Sequence, residues 1–190
     1  MIKAIASVLF FATSILAADD LHDYRVLATN KTSTMEKEMN EAAAAGFRFE
    51  AAMGGQTAFG GDEVVTIMSK ERSAANTGRY SYKLLATSKT STMQKELQQA
   101  GNEGFEYKAQ SVFKSAFGGD EVVVILELDR ENRGKSRYEN KLLATQKTST
   151  MQKELQEAGN EGFKFVGLTV SKTAFGGKEV VSILRKEMRR

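Results

Sequence analysis

Short apolar runs, separated by amphipathic and polar stretches, recur three times along the chain. Each copy opens with an apolar run that predicts a β-strand. It closes with an alternating segment and a run rich in Val and Ile, which predict two more strands. The first strands are predicted at residues 24–29, 83–87 and 141–145. The second strand is predicted at residues 47–59 and its copies, and the third at 63–68, 121–126 and 179–184.

An amphipathic helix is predicted between the first and second strands of each copy. Its apolar residues fall at i, i+4, i+7 and i+8, which places them on one face. These stripes are Met35, Met39, Ala42 and Ala43, then Met93, Leu97, Ala100 and Gly101, and finally Met151, Leu155, Ala158 and Gly159. A glycine lowers helix stability, so Gly101 and Gly159 predict helices that approach a sheet closely.

The boundaries of these helices also carry signals. A serine followed three residues later by Glu or Gln predicts a capping box at each helix N-terminus. A glycine after the apolar stripe predicts the left-handed residue that ends a helix. The serines are Ser33, Ser91 and Ser149, and the glycines are Gly46, Gly104 and Gly162.

The three copies are separated by a constant offset of 58 positions, at which the Gly-Phe, Leu-Ala-Thr and Ala-Phe-Gly-Gly segments all return. The predicted units are repeat 1 (22–71), repeat 2 (80–129) and repeat 3 (138–187), with polar linkers at 69–78 and 129–136. The prediction is an α+β fold of three tandem β-α-β-β repeats, each a small antiparallel-rich sheet with one helix on a face. Units of this size have marginal cores, so we expect pseudo-threefold or solenoid-like packing between them.

The glycine pair between the second and third strands predicts a tight hairpin. Both central positions of such a turn need positive φ, which Gly60-Gly61 and its copies at 118–119 and 176–177 adopt readily. Residues 59–64 are also similar to the Gly-Gly-Asp-Glu-Phe hairpin of diguanylate cyclases, which implies a nucleotide cyclase-like enzyme as a remote alternative. Lys178 replaces the first acidic residue in repeat 3, and adjacent strand residues such as Asp62 and Glu63 point to opposite faces. The plain hairpin is therefore favoured.

The N-terminal residues have the pattern of a secretory signal peptide. Lys3 precedes an apolar run at residues 4–16, and small residues follow, with cleavage expected after Ala17 or Ala18. The run is shorter than the roughly 18 residues of a membrane-spanning helix, so an uncleaved anchor is the less favoured alternative. Residues 1–18 are predicted to direct export to the periplasm or the cell exterior, with no membrane span after signal removal.

Composition excludes several kinds of chemistry. The chain of 190 residues has no Cys, no Pro, no Trp and one His, which excludes disulfides, thiolate nucleophiles, Cys-based zinc sites and multi-His metal centres. The formal net charge is only +3, whereas a nucleic-acid partner needs clustered Lys and Arg. We expect no cofactor, no metal site and no nucleic-acid partner.

Residues 155–163 of repeat 3 follow the pattern Leu-x-x-x-Gly-x-Glu-Gly-Phe at the predicted helix-to-strand junction. Together with the β-α-β-β order, this pattern resembles a small bacterial domain family of unknown function, whose junction typically carries Leu-x-x-x-Gly-x-Glu-Gly-Trp-Glu-Leu-Val. Here Phe163 replaces the Trp, and Lys164 and Phe165 replace the Glu and Leu. Repeat 2 keeps every defined position of the 155–163 pattern, and repeat 1 keeps only Gly46 and Phe47. The resemblance implies three tandem copies of one fold and no particular activity.

A recurring group of basic and hydroxyl residues precedes each helix. Free helical N–H groups, the helix dipole and a nearby Lys together favour an anion. The candidate ligand-binding residues are Lys31, Thr32 and Thr34, Lys89, Thr90 and Thr92, and Lys147, Thr148 and Thr150. Simple N-capping is the favoured interpretation of the serines, and anion binding is the alternative. A threefold arrangement would bring the three groups toward one phosphate or acidic glycan.

The remaining recurring residues are glycines and core apolar groups, and no acid, base or nucleophile constellation persists in all three copies. We therefore expect no catalytic residues. The sequence favours a non-enzymatic exported structural or interaction protein, because near-identical modules suit assembly and multivalent binding. Its partner is expected to be a protein or an anionic glycan, and open sheet edges favour self-association.

Overall fold

The structure is a computed structural model, and it describes residues 21–57, 61–75, 77–87, 89–114, 120–172 and 178–189. The predicted signal peptide lies outside these residues, as do Gly60, Gly118, Gly119, Gly176 and Gly177 of the predicted hairpin turns. No helix in the described part of the chain is long and apolar enough to cross a membrane.

Each repeat contributes three strands and one helix in the predicted order. Repeat 1 contains β1 (His22–Thr29), α1 (Thr32–Ala44), β2 (Arg48–Thr57) and β3 (Gly61–Glu71). Repeat 2 contains β4 (Tyr80–Thr87), α2 (Thr90–Glu103), β5 (Glu106–Lys114) and β6 (Asp120–Asp129). Repeat 3 contains β7 (Ser136–Thr145), α3 (Thr148–Asn160), β8 (Lys164–Lys172) and β9 (Lys178–Arg189).

The strands of each repeat form one antiparallel sheet with the third strand in the centre. The strand orders are β1-β3-β2, β4-β6-β5 and β7-β9-β8, so the helix connects the two outer strands. This arrangement confirms the α+β fold of three β-α-β-β repeats. The Val- and Ile-rich run forms the central strand, with a strand on each side of it. In repeat 2, residues 122–128 of this strand are all buried.

The strands extend into segments that the sequence predicted as linkers. Residues 69–71 pair with residues 22–24, so β3 continues past its predicted end at Met68. Asp129 likewise ends β6, and Ser136 begins β7. The linker prediction was wrong at these positions because pairing of backbone groups across the ladder does not require apolar side chains. Between β6 and β7 the chain forms a short 3-10 turn at Arg130–Asn132.

The two-residue turn predicted at Gly60-Gly61 lies partly outside the described residues. Gly61 itself pairs with Thr57 in the β2–β3 ladder, so it is a strand residue in repeat 1. The expectation that Gly61 is a central turn residue was therefore wrong.

The helices begin one residue before the predicted serine. Their first residues are threonines, their N-caps are extended lysines, and no side chain caps any of the three. The capping boxes at Ser33, Ser91 and Ser149 were therefore wrong. In each repeat a threonine hydroxyl at the end of the first strand instead accepts a hydrogen bond from the lysine N–H, which organises the turn before the helix. These pairs are Thr29 with Lys31, Thr87 with Lys89, and Thr145 with Lys147, at 3.1–3.2 Å.

The helix ends match the prediction. Gly46, Gly104 and Gly162 have φ of 90°, 93° and 88°, a left-handed conformation that glycine adopts without steric cost. The phenylalanine after each glycine receives a cation over its ring at 4.6 Å. The pairs are Arg25 with Phe47, Lys83 with Phe105, and Lys141 with Phe163. The recurring Gly-Phe step thus serves helix termination and packing.

The repeats stack in linear order. Helix α1 packs on its own sheet and also on β4, and α2 packs on its own sheet and on β7. Val123 and Ile125 on one face of β6 join the core around α1, whereas Val122 and Val124 on the other face join the core around α2. In the described residues, substantial contacts join each repeat only to the next. The packing is therefore solenoid-like, and the pseudo-threefold alternative is not what the structure shows.

The third helix lacks the second sheet that covers the other two. The predicted apolar stripes of α1 and α2 are buried throughout, but in α3 only Met151 and Ala158 of the stripe are buried. Close approach is confirmed for Gly101, because a methyl group there would lie 2.2 Å from the carbonyl oxygen of Tyr138. Gly159 has nothing within 4 Å at the same place, because none of the described strands packs against this side of α3.

Candidate functional site

Recurring polar side chains of the helices bind the edge strand of the following repeat. We call the contact between repeats 1 and 2 the first junction, and that between repeats 2 and 3 the second junction. At the first junction, the Asn40 side chain accepts from the Tyr82 N–H at 3.0 Å and donates to the Tyr82 carbonyl at 2.9 Å. The Glu36 carboxylate accepts from the Leu84 N–H at 2.7 Å. The free edge of β4 is thereby satisfied by α1.

The second junction repeats this pattern with two glutamines. The Gln94 amide accepts from the Leu142 N–H at 2.7 Å and donates to the Asn140 carbonyl at 2.8 Å. The Gln98 amide accepts from the Asn140 N–H at 3.1 Å. The buried Asn140 side chain in turn donates to the Leu97 carbonyl at 3.0 Å. Amides and carboxylates on the helix therefore replace a neighbouring strand along the edge of β7.

Helix and strand dimensions explain why this contact works. Side chains four residues apart on a helix are separated by about 6 Å along its axis. Backbone groups two residues apart on a strand face the same edge at a spacing of about 6.7 Å. The i, i+4 pair on a helix therefore matches two successive outward-facing groups of an edge strand. The sequence contains these i, i+4 pairs as Glu36/Asn40, Gln94/Gln98 and Gln152/Gln156. Polar pairs with this spacing are common on solvated helix faces, so the spacing alone did not indicate a contact with a strand.

A buried carboxylate lies at the first junction. Glu127 on β6 is 3% exposed, and Arg48 of repeat 1 donates to it through Nη2 at 2.9 Å. The Tyr82 hydroxyl donates to it at 2.9 Å, and the Lys108 ammonium lies 3.1 Å away. Burial, reinforced by the adjacent carboxylate, raises the pKa of Tyr82 well above its usual range. The Tyr82 hydroxyl also accepts from the Phe49 N–H at 2.8 Å, which links both repeats through one side chain.

The corresponding ion pair at the second junction has its charges exchanged. Glu106 occupies the place of Arg48, and Arg185 occupies the place of Glu127, with Arg185 Nη1 donating to Glu106 at 2.7 Å. Burial opposes ionisation of Glu106, yet Lys108 and Arg185 together hold its pKa below the usual value. The two junctions therefore share a geometry and differ in charge pattern.

The predicted ligand-binding residues lie beside the three helix N-termini. Lys31, Lys89 and Lys147 are exposed N-cap residues. Within repeats 1 and 2 the neighbouring threonines are half-buried, and in repeat 3 Thr148 and Thr150 are exposed. Each group lies on its own repeat of an open array, so the structure does not bring the three groups into the threefold arrangement that the sequence suggested. Anion binding by these residues stays a prediction.

A cleft of about 470 Å³ lies beside the first junction, with Arg48, Glu50, Arg79 and Tyr80 in its lining. Its arginines are engaged in ion pairs. Arg79 lies 2.6 Å from Asp129 and 3.2 Å from Glu131, and the hydrogen bond from Arg79 holds the pKa of Asp129 below its usual value. Among the described residues, no group of three His, Asp or Glu side chains is arranged to hold a metal ion.

Comparisons with known proteins gave no relative. No family model matches the chain, and neither a search of curated proteins nor a search of solved structures found a match. The resemblance of residues 155–163 to a bacterial domain family therefore stays a prediction.

Proposed function

We propose that the protein is a non-enzymatic exported structural or interaction protein, built as a stack of three near-identical modules. The observation that carries this proposal is the use of the recurring polar side chains. Glu36, Asn40, Gln94 and Gln98 are committed to hydrogen bonds with the next repeat. Their hydrogen bonds hold successive modules in a fixed register.

The charge distribution supports the same proposal. Two groups with displaced pKa values have their partners at the junctions: the Tyr82 hydroxyl hydrogen-bonds Glu127, and Glu106 pairs with Arg185. Perturbed pKa values often mark catalytic groups, but structural ion-pair networks produce them too. Here each perturbed group has an opposite charge or a hydrogen-bond partner within the protein, which favours the structural role.

A substrate screen tests the proposal. The purified protein is assayed against esterase, glycosidase, phosphatase and peptidase substrates, together with Asn40→Ala and Gln98→Ala variants. We expect no turnover above that of a heat-denatured sample. Turnover that disappears on replacing one recurring polar residue would overturn the proposal.

Mass spectrometry of the chain recovered from the periplasm or the medium tests export, with loss of residues 1–17 or 1–18 expected.

Anion or acidic-glycan binding is a second candidate function, favoured by one observation. The three N-cap lysines are exposed, and no side chain caps the helices that they precede. Helical N–H groups and a nearby cation attract anions. Titration with polyphosphate and an acidic glycan at two ionic strengths, beside a triple Lys31/Lys89/Lys147→Ala variant, tests this candidate. Binding that weakens with salt and with the variant supports it, and equal binding by both proteins contradicts it.

A further inference from the structure

The exposed large hydrophobic side chains of the described residues all lie in or directly beside repeats 1 and 3. Repeat 2 contributes none, although it has the same fold. The side chains are Tyr24, Val26 and Met53 in repeat 1 with Leu21 directly before it, and Phe165, Leu168 and Val170 in repeat 3 with Met188 directly after its predicted end. Repeat 2 differs in having a neighbour on both sides, so the exposure in repeats 1 and 3 marks the two ends of the stack.

The N-terminal end of the stack presents an uncovered copy of the strand that α1 and α2 bind. Tyr24 and Val26 on β1 correspond to Tyr82 and Leu84 on β4, and both strands pair with their central strands in the same register. Tyr82 and Leu84 are 4% and 8% exposed beneath α1, whereas Tyr24 and Val26 are 67% and 63% exposed. We call this surface, formed by the outer edge and outer side of β1, the N-terminal face.

The C-terminal end presents an uncovered copy of the helix that binds such a strand. Gln152 and Gln156 on α3 correspond to Gln94 and Gln98, and both side chains are exposed. Gly159 leaves open the space that the Tyr138 carbonyl fills against Gly101. Phe165 on β8 is 54% exposed, whereas the corresponding Tyr107 is 8% exposed. We call this surface, formed by α3 and β8, the C-terminal face.

The charges of the two end faces are complementary. The place of Arg48 and Glu106 at the junctions is taken in repeat 3 by Lys164, which is exposed. The place of Glu127 and Arg185 is taken in repeat 1 by Ser69. The Ser69 hydroxyl donates to Glu50, which takes the place of Lys108 and is also exposed. Stacking one chain on another in the register of the existing junctions would therefore bring Lys164 of one copy toward Glu50 of the next. A third junction with this pair would again have its own arrangement of positive and negative residues, as each of the first two junctions does.

We propose that the C-terminal face of one copy binds the N-terminal face of a second copy, forming a third junction of the same geometry. Gln152 and Gln156 would bind the backbone of β1 at Tyr24 and Val26. Gly159, which has no side chain, would leave room for the start of that strand. The interface is heterologous, and each added copy leaves both face types free at the ends, so association is open-ended. This inference rests on the proposed structural function and specifies its partner as the chain itself.

Sedimentation velocity on residues 19–190, which contain every described element, tests the inference from about 1 μM to 1 mM protein. We expect a series of species that grows with concentration. Gly159→Ala fills the open space on the C-terminal face, and Val26→Lys places a charge on the N-terminal face. Each variant should raise the apparent Kd by about tenfold or more. Lys153→Ala is the control and should leave association unchanged, because Lys153 corresponds to Lys95, which stays exposed when α2 forms the second junction.

Mixing the Gly159→Ala and Val26→Lys variants tests whether the two copies associate through opposite faces. Gly159→Ala retains its N-terminal face, and Val26→Lys retains its C-terminal face, so an equimolar mixture should give a 1:1 dimer that grows no further. A symmetric dimer formed through β1 edges would instead persist in Gly159→Ala alone, which would overturn the inference. Monomeric wild-type chain across the concentration range would also overturn it. That result would leave the non-enzymatic function, which the substrate screen tests, in place.

Charge reversal supplies an independent check. Glu50→Lys and Lys164→Glu should each weaken association, and the double variant should restore it toward the wild-type Kd. Failure of the double variant to recover association would contradict the proposed register.

Discussion

Arg48 on β2 donates through Nη2 to Glu127 on β6 at 2.9 Å, so a half-exposed cation of repeat 1 neutralises a buried anion of repeat 2. The same two places hold Glu106 and Arg185 at the second junction. Removing one member of a buried ion pair leaves an uncompensated charge, which is far more costly than losing an exposed pair. The junctions are therefore the points at which single substitutions should affect the whole stack.

Exchanging the charges of the first junction tests whether a single substitution there destabilises the stack. Arg48→Glu and Glu127→Arg should each lower the free energy of unfolding by about 3–5 kcal/mol, because each places like charges together in a buried site. The double variant copies the second junction and should recover part of that loss. Recovery should be incomplete because Lys108 stays beside position 127. Urea unfolding followed by circular dichroism measures all three.

The exposed pair Lys37–Glu41 is the control for charge reversal, since its side chains are 77% and 61% exposed. Lys37→Glu should change the free energy of unfolding by about 0.5 kcal/mol or less. A similar loss at this pair and at Arg48 would show that the junction pair has no special role.

Replacing corresponding glutamines should have unequal effects. Gln94→Ala leaves the Leu142 N–H at the second junction without its acceptor, at an expected cost of about 1–3 kcal/mol. Gln152→Ala, in the same Gln-Lys-Glu-Leu context, should change stability by about 0.5 kcal/mol or less, because its exposed side chain makes no hydrogen bond with any described residue. Thermal unfolding at low protein concentration compares the two. Equal losses would contradict the edge-binding role of Gln94.

Acid should destabilise the second junction. The pKa of Glu106 is held below its ordinary value of 4.5 in the folded protein, so the unfolded chain binds more protons as the pH falls through that range. The stabilisation is complete above the unfolded-state pKa and is lost as the pH falls through the lower folded-state value. Unfolding free energies measured from pH 6 downward should decline from about pH 4.5. Glu106→Gln should flatten that decline, and an unchanged slope would contradict the assignment.

Periodicity predicted the repeat fold well because each unit obeys local rules. The apolar stripe of α2 and the terminating glycine Gly104 depend on neighbours within a few residues, and both are where the sequence places them. The start of α2 differs because the Thr87 hydroxyl, a residue of the preceding strand, organises the turn before Lys89. The Gln94 side chain, predicted to complete a cap, instead binds a strand 48 positions further along the chain.

The contacts between repeats could not be predicted from the residue pattern within one repeat. Glu36, Gln94 and Gln152 have the same local setting in sequence, yet within the described residues only Glu36 and Gln94 bind the edge strand of another repeat. The predicted threefold arrangement of the helix N-termini was wrong for the same reason, because nothing within one repeat specifies where the next one stacks. Gly101 and Gly159 show the difference most simply, since identical helix positions face a carbonyl in one repeat and open space in the other.

The measurement that tests this account most directly is the unfolding free energy of Gly101→Ala beside that of Gly159→Ala, at a protein concentration where the chain is monomeric. A methyl group at position 101 would lie 2.2 Å from the Tyr138 oxygen, so Gly101→Ala should destabilise the protein by about 1–3 kcal/mol. Gly159→Ala meets no neighbour and should stabilise α3 by up to about 1 kcal/mol. Opposite signs are the predicted result. Stabilisation by both substitutions would contradict the close junction between α2 and β7.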